Sequence, residues 1–188
     1  MSEIIMIHEV NDKVLKAAES LDPDSIITFD DGLYTQFHYR SHFALFKRVI
    51  FFINPSIICE SSEKQSKEYI QCYNAHKKAF KGCFENYMTL DQIQQISSEN
   101  MYNFEIGSHS YNHKYFKDSK SLIKDIQDSL DFFKNHNIPI KSFCFPYNQD
   151  SKNPLFISAV KLKFKDLDIF GNNRVPIESK FKLQGEIK

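Results

Sequence analysis

The residues best equipped for chemistry are Asp30, Asp31, His109, His113 and the Pro146–Tyr147 pair. Each group follows a short apolar run: 26–29 precedes Asp30-Asp31-Gly32, 104–107 precedes the segment from Ser108 to His113, and 143–145 precedes Pro146 and Tyr147. In parallel α/β folds the site forms where loops converge beyond the carboxyl ends of the strands, so three polar strand ends can meet in one place. Two carboxylates held close repel and split their pKa values, which gives one ligand and one base. By itself, Asp30-Asp31 reads more simply as a solvated turn or a helix N-cap. His109 and His113 stand at i, i+4, which on one helical turn puts both imidazoles on one face. In isolation such a pair also fits an exposed, polar helix start. One carboxylate plus two imidazoles is an open zinc set that leaves a position for water, and cobalt or nickel could occupy it too. His8, His38, His42, His76 and His136 read more simply as surface or satisfied polar residues. His8 ends the first apolar run, so it can lie on the rim of the same cavity.

The elements that must position these groups follow from the apolar pattern. Dense runs at 4–7, 26–29, 49–53, 104–106, 143–145 and, weakly, 167–170 are short and rich in Ile or Phe, which suits strands buried on both faces. Between them lie stretches with helical spacing. Val14, Leu15, Ala18 and Leu21 mark one; Leu33 and Phe37, then Leu45 and Phe46, mark another; Tyr69, Ile70, Tyr73 and Phe80 mark a third. Thr89-x-x-Gln92 is a capping box opening a helix through Ile93 and Ile96. Leu122, Ile126, Leu130 and Phe133 form a clear stripe, and Leu155, Val160 and Leu162 suggest a last helix opened by Pro154. Strand then helix, repeated, predicts a parallel α/β fold. Residues 55–67 are polar and read as the longest loop.

Composition narrows the function class. The chain has 188 residues, about one domain, with 24 basic and 24 acidic side chains and a formal net charge of zero. A neutral chain is a poor phosphate-backbone binder, so no nucleic-acid partner is expected. With 41% hydrophobic residues, including 18 Phe and 9 Tyr, it can build a sizeable core. Its longest clean apolar run, 49–53, is far below the roughly 20 residues of a membrane span. The N-terminus lacks the cationic segment, apolar stretch and small-residue site of a signal peptide. Cys59, Cys72, Cys83 and Cys144 form no Cys-x-x-Cys pair, and free thiols in a reducing cytoplasm are the simplest reading. A cytoplasmic protein is the resulting expectation.

Taken together, Thr28-Phe29-Asp30-Asp31-Gly32, His109-Ser110-x-x-His113 and Phe145-Pro146-Tyr147 resemble the first three motifs of the NodB-homology polysaccharide deacetylases, carbohydrate esterase family 4. Met88-Thr89-Leu90-Asp91 and the run from Glu105 to His109 resemble the family's approach to its second motif. The likeness spans about residues 4–175, in matching order and spacing. It implies one NodB-like domain over 1–188, an α/β distorted (β/α) barrel with its site at one mouth. It implies a divalent metal, most often zinc, on Asp31, His109 and His113, with Asp30 as general base. It also implies an oxyanion held by the Tyr147 backbone N–H, and a substrate surface at Pro146 and Tyr147. The substrate would be an N-acetylated or O-acetylated sugar or short glycan precursor, hydrolysed to acetate by a metal-activated water.

The chain departs from the family at three places. No His follows His136, so the late Leu-x-His that supplies an acid in many members is absent. His8, a metal-bound water or Asp30 itself are the alternatives. Cys144 stands where many members have an Arg paired with the base, and a thiol cannot hold Asp30 as a guanidinium would. Asn148 replaces a frequent Gly. These departures leave two other readings: a degenerate member that binds metal or carbohydrate or acts in assembly, and an amino-sugar deformylase. The chain is also short for a complete barrel, so a late strand is expected to be missing or supplied by a second subunit in a homo-oligomer.

Overall fold

The computed structural model describes residues 2–99 and 102–184. Among the described residues seven strands form one sheet: β1 (Ile4–Ile7), β2 (Ile26–Phe29), β3 (Arg48–Ile53), β4 (Phe104–Ser108), β5 (Ser142–Cys144), β6 (Asp168–Phe170) and β7 (Val175–Pro176). Their order is β6-β5-β4-β3-β2-β1-β7, and every neighbouring pair is parallel. The sheet curls into part of a barrel with β6 and β7 at its two edges. This is the distorted, incomplete (β/α) barrel expected from the sequence, and each of the six expected runs matches a strand to within two residues at either end. The weak run at 167–170 shortens to β6. The two-residue β7 was not foreseen. It is too short to show a period, and its Pro is tolerated because the strand is an edge.

Alternation along each strand splits the side chains between two cores. On the outer face, Ile5, Ile7, Ile27, Phe29, Val49, Phe51 and Ile106 pack against Val14 of α1 (Asp12–Ala18) and Ile93 and Ile96 of α4 (Leu90–Ser98). Phe29 stacks on Phe51 at 4.8 Å and meets Phe43 edge-on at 4.9 Å. Further along, Phe143 and Phe145 pack against Leu122 and Ile126 of α5 (Ser119–Asn135) and Phe156 and Val160 of α7 (Pro154–Lys163). Each fully buried Phe or Ile contributes about 1.5–3 kcal/mol. The inner face carries Ile50, Phe52, Cys144 and Phe170, with Ile4 and Ile26 beside them. At the amino end of that lining Arg48 pairs with Glu105 and, at 2.8 Å, with Asp168.

The helix signals held where a cap or an apolar stripe backed them. Thr89 and Gln92 form the reciprocal capping box, and Asn153 caps α7 ahead of Pro154. In α7 the buried residues are Phe156 and Val160, whereas Leu155 and Leu162 are exposed. The second stretch yields only α2 (Tyr34–His38) and a following 3-10 turn, with Leu45 exposed. The third yields α3 (Cys72–Ala79), which starts after Tyr69 and Ile70 and buries only Ala75. A short helix, α6 (Gln149–Lys152), precedes α7.

Candidate active site

The turn after β2 is built from two consecutive left-handed residues, Asp31 (φ 75) and Gly32 (φ 76). Aspartate tolerates this region, and glycine enters it without steric cost. A Cβ at Gly32 would also lie 2.9 Å from Ile53 Cδ1. The turn therefore aims both carboxylates past the end of the strand. Gln36, fully buried, donates from Nε2 to the carbonyls of His8 and Asp30 and ties the ends of β1 and β2 together.

His109 continues the β4 ladder by donating its N–H to the Ile53 carbonyl at 3.0 Å. Asn54, at the end of β3, donates to the carbonyls of His109 and Ser110. The expected helical turn from His109 to His113 does not form. Ser110 (φ 68) and His113 (φ 44) are left-handed, and the segment is a loop held by side chains. Ser110 Oγ accepts the His113 N–H at 3.2 Å. Buried Asp125 of α5 accepts from the backbone N–H groups of Tyr111 (2.6 Å) and Asn112 (3.1 Å). The i, i+4 spacing meant convergence, but through a polar loop rather than through helix geometry.

The three groups do converge. Asp31 Oδ1 lies 3.0 Å from His113 Nε2 and 3.5 Å from His109 Nε2. Donor atoms of Asp31, His109 and His113 all fall within 4.8 Å of one another, and all three residues are buried. Asp31 Oδ1 is a buried carboxylate oxygen with no directed hydrogen bond, although two imidazole nitrogens face it. The His109 ring is fixed from behind by a 3.0 Å contact between Nδ1 and the Cys144 carbonyl, which leaves Nε2 toward Asp31. Burial pushes the His109 imidazole down to about 4, against the opposing pull of Asp30 and Asp31, so it is neutral near pH 7. A buried carboxylate faced by two imidazole nitrogens is the donor set a divalent cation requires, and these residues fit one.

Asp30 is held differently. Burial, the largest influence, would raise its carboxyl, but the Arg174 charge, the nearby His109 and the Arg174 hydrogen bonds together outweigh it, and Asp30 stays below its usual range. Arg174 grips both oxygens, Nη1 to Oδ1 at 2.6 Å and Nη2 to Oδ2 at 2.8 Å. Its Nη1 also reaches Thr28 Oγ1, and its Nε donates to the Gly171 carbonyl. This corrects the expectation drawn from Cys144. The chain does place a guanidinium on Asp30, from the segment between β6 and β7 rather than from the third motif. Cys144 lines the inner face, with burial holding its thiol far above the usual value.

The groups open into a cavity of about 160 Å³ whose walls include Met6, His8, Phe145, Tyr147 and Asn148. His8 thus lies where its position at the end of the first run placed it. Tyr147 (φ 56) and Asn148 (φ 49) are both left-handed, which explains how Asn stands where Gly is frequent. Pro146 is buried and opens this 3-10 turn (Pro146–Asn148) without lining the cavity itself. The Tyr147 ring packs on His113 at 4.6 Å and is stacked by Tyr115 at 4.2 Å. A larger cavity, about 590 Å³, opens at the opposite end of the sheet near Lys47, Arg48 and Glu105, away from these groups.

Two residues were misread as peripheral or left unassigned. His76 Nε2 is 3.1 Å from Asp31 Oδ2, and its ring stacks on His113 at 4.5 Å. Cys72 Sγ donates to the same Oδ2 at 3.1 Å. Cys72 and His76 share the i, i+4 spacing that singled out His109 and His113, so the same test would have found them. Arg174 had a subtler signal. It is one of only three Arg in the chain, and each of the three forms a fork with a carboxylate.

No family model and no curated protein sequence matches the chain. Solved structures do. IcaB from Ammonifex degensii superposes with a TM-score of 0.64 at 12% identity, covering 96% of this chain and 94% of that one. The deacetylase domain of BpsB from Bordetella bronchiseptica gives 0.55 at 13% identity over 86% and 84%. A de-N-acetylase from Aggregatibacter actinomycetemcomitans gives 0.55 at 16% identity over 91% and 76%. The chain has the fold of these three structures.

Proposed function

We propose that this chain is a metal-dependent deacetylase of an N-acetylated or O-acetylated sugar or short glycan. The observation that carries the reading is the side-by-side pair of buried carboxylates with opposite fittings. Asp31 presents an orphaned oxygen to two imidazoles, while Asp30 is kept ionised by Arg174. Asp31, His109 and His113 would hold the divalent cation, zinc first and cobalt or nickel as alternatives. Bound there, the cation supplies Lewis acidity toward the acyl oxygen and the attacking water.

The remaining work belongs to the chain. Asp30 accepts the water proton at Oδ2, which faces His109 Nε2 at 3.9 Å. The water oxygen bonds to the acyl carbon as that proton leaves. The Tyr147 backbone N–H, presented by a left-handed turn at the cavity wall, donates to the developing oxyanion, a contribution of about 3–4 kcal/mol for a well-placed donor. Asp30 then returns its proton to the leaving nitrogen or oxygen as the bond to the acyl carbon breaks, giving acetate and free amine or hydroxyl. The small cavity suits an acyl group, and the stacked Tyr115 and Tyr147 rings offer an apolar face to a sugar ring. The degenerate reading rested on the missing late acid and on Cys144 in place of an Arg, and Arg174 answers the second of these.

The test is acetate release from a panel of acetylated amino sugars, nucleotide sugars and short glycans, with zinc, cobalt and chelator arms. Asp30→Asn is expected to keep metal and lose turnover, and His113→Ala to lose metal. Release undiminished in Asp30→Asn would remove the assigned base. Formate rather than acetate would select the deformylase, and stoichiometric metal without any release would select the binding protein.

A further inference from the structure

Asp31 uses its two oxygens on two different donor sets. Oδ1 faces His109 and His113; Oδ2 faces Cys72 and His76 of α3. We propose that Cys72, His76 and Asp31 Oδ2 form a second cation position, with the Asp31 carboxylate bridging it to the first. The proposal rests on the reading of Asp31 as a ligand of the first cation and adds to it.

Four observations carry it. The donor atoms of Asp31, Cys72 and His76 lie within 4.8 Å of one another, as a triad distinct from the Asp31, His109 and His113 triad. Cys72 and His76 are one turn apart on α3, and both line the same cavity, while Tyr73 between them points to solvent. The His76 ring is oriented as ligating imidazoles are: Nδ1 is 3.3 Å from the Tyr87 hydroxyl, which leaves Nε2 toward Asp31. His109 shows the same design with the Cys144 carbonyl behind it. Finally, α3 is anchored at its first turn as well as by its apolar face, where Ala75 and Ala79 pack with Leu33, Ile57 and Tyr87. Only Ala75 is fully buried, and the Cys72 N–H is fixed by Glu9 Oε2 at 3.2 Å.

The chemistry of the set is softer than that of the first. A thiolate, an imidazole and one carboxylate oxygen select zinc or cobalt over magnesium or calcium. Three protein donors leave an open vertex that faces the same cavity. Binding displaces the proton that Cys72 now donates to Oδ2, so uptake releases protons and weakens as pH falls.

The experiment titrates the chelator-stripped full chain with Co2+ under a non-chelating reductant, following absorbance and bound metal per chain. The wild type is expected to bind two equivalents and to show a thiolate-to-cobalt charge-transfer band. Cys72→Ser and His76→Gln should each drop to one equivalent, with the band lost in the first. His113→Ala should drop to one equivalent and keep the band. A single equivalent in the wild type, with or without the band, overturns the second position. If that equivalent is lost in His113→Ala and kept in Cys72→Ser, the first position stands and Cys72 and His76 merely orient Asp31. No binding in any form overturns both. The wild-type spectrum decides even where a variant fails to fold.

Discussion

Arg174 forms a two-pronged pair with Asp30 at 2.6 and 2.8 Å across 144 positions of sequence, with both side chains almost wholly buried. The pair ties the segment between the two edge strands, β6 and β7, to the end of β2. Removing one partner leaves an uncompensated buried charge, at a cost of about 3–5 kcal/mol. Arg174→Gln is therefore expected to lower stability by that order in urea unfolding. The Arg174→Met/Asp30→Asn double variant should cost less than Arg174→Gln, because no charge is then stranded. Without Arg174 the Asp30 carboxyl rises, so the acid limb of the pH–rate profile should move to higher pH. A limb that stays put in Arg174→Lys and Arg174→Gln alike would show that Asp30 is not the titrating base.

Stability of the metal-stripped chain should depend on pH through His109. Its folded value is about 4, against about 6.5 when unfolded, and burial is the main cause. Between those values the unfolded chain binds the extra proton, so stability rises with pH and is lost as pH falls from 6.5 toward 4. Asp30 and Asp31 are depressed when folded, and their contribution disappears only below the unfolded value of 3.8. In His76, burial lowers the value but Asp31 outweighs it, so its contribution is fully present below 6.5 and fades only as pH rises above that. Chemical unfolding in chelator across pH 4–7 should show the slope, and His109→Asn should flatten it.

Much of this was legible in the sequence because it is local. Runs such as 26–29 and 49–53 announce strands buried on both faces, and Thr89 with Gln92 announces a cap, since each depends on neighbours a few residues away. Asp30, Asp31 and His109 stood out because they follow the ends of such runs, and His113 because it stands four residues beyond His109. Arg174 was not, since its meaning lies in a partner 144 residues earlier. His76 was missed for a related reason: its partners are Asp31 and His113, and it lies outside any strand end. The His109–His113 loop shows the converse limit, where spacing predicted proximity correctly and backbone conformation wrongly.

Gly107 in β4 should be intolerant of any side chain. A Cβ there would lie 2.5 Å from the Phe52 ring and 3.1 Å from Ile50 Cγ2, on the crowded inner face. Phe52 is fully buried, so its ring can give way only by moving the layer that also holds Phe170 and Arg174. Gly107→Ala is expected to cost about 1–3 kcal/mol as overpacking, despite the better strand propensity of Ala. Equilibrium unfolding measures it, and Gly107→Ala/Phe52→Leu should recover part of the loss. Equal losses in the single and double variants would place the strain in the backbone instead.

Asn54 lies outside the lining of the site cavity, yet it should control metal affinity. Its amide donates to the carbonyls of His109 and Ser110, and so sets where the β3 end holds the ligand loop. The second anchor of the ring, the Cys144 carbonyl on Nδ1, comes from β5. With Asn54 gone, two buried carbonyls lose their donor, at about 1–3 kcal/mol, and the left-handed turn at Ser110 loses its brace. Because His109 and His113 flank that turn, both imidazoles should shift together. Asn54→Ala is expected to weaken metal binding by about 10–100-fold, the usual range for outer partners of ligands. Asn54→Asp, which keeps the shape but replaces the donor with a charge, should weaken it no less. Calorimetric titration with zinc measures both variants. Affinity unchanged in Asn54→Ala would mean that the Cys144 carbonyl and the β-ladder bond from His109 to Ile53 suffice to place the ring.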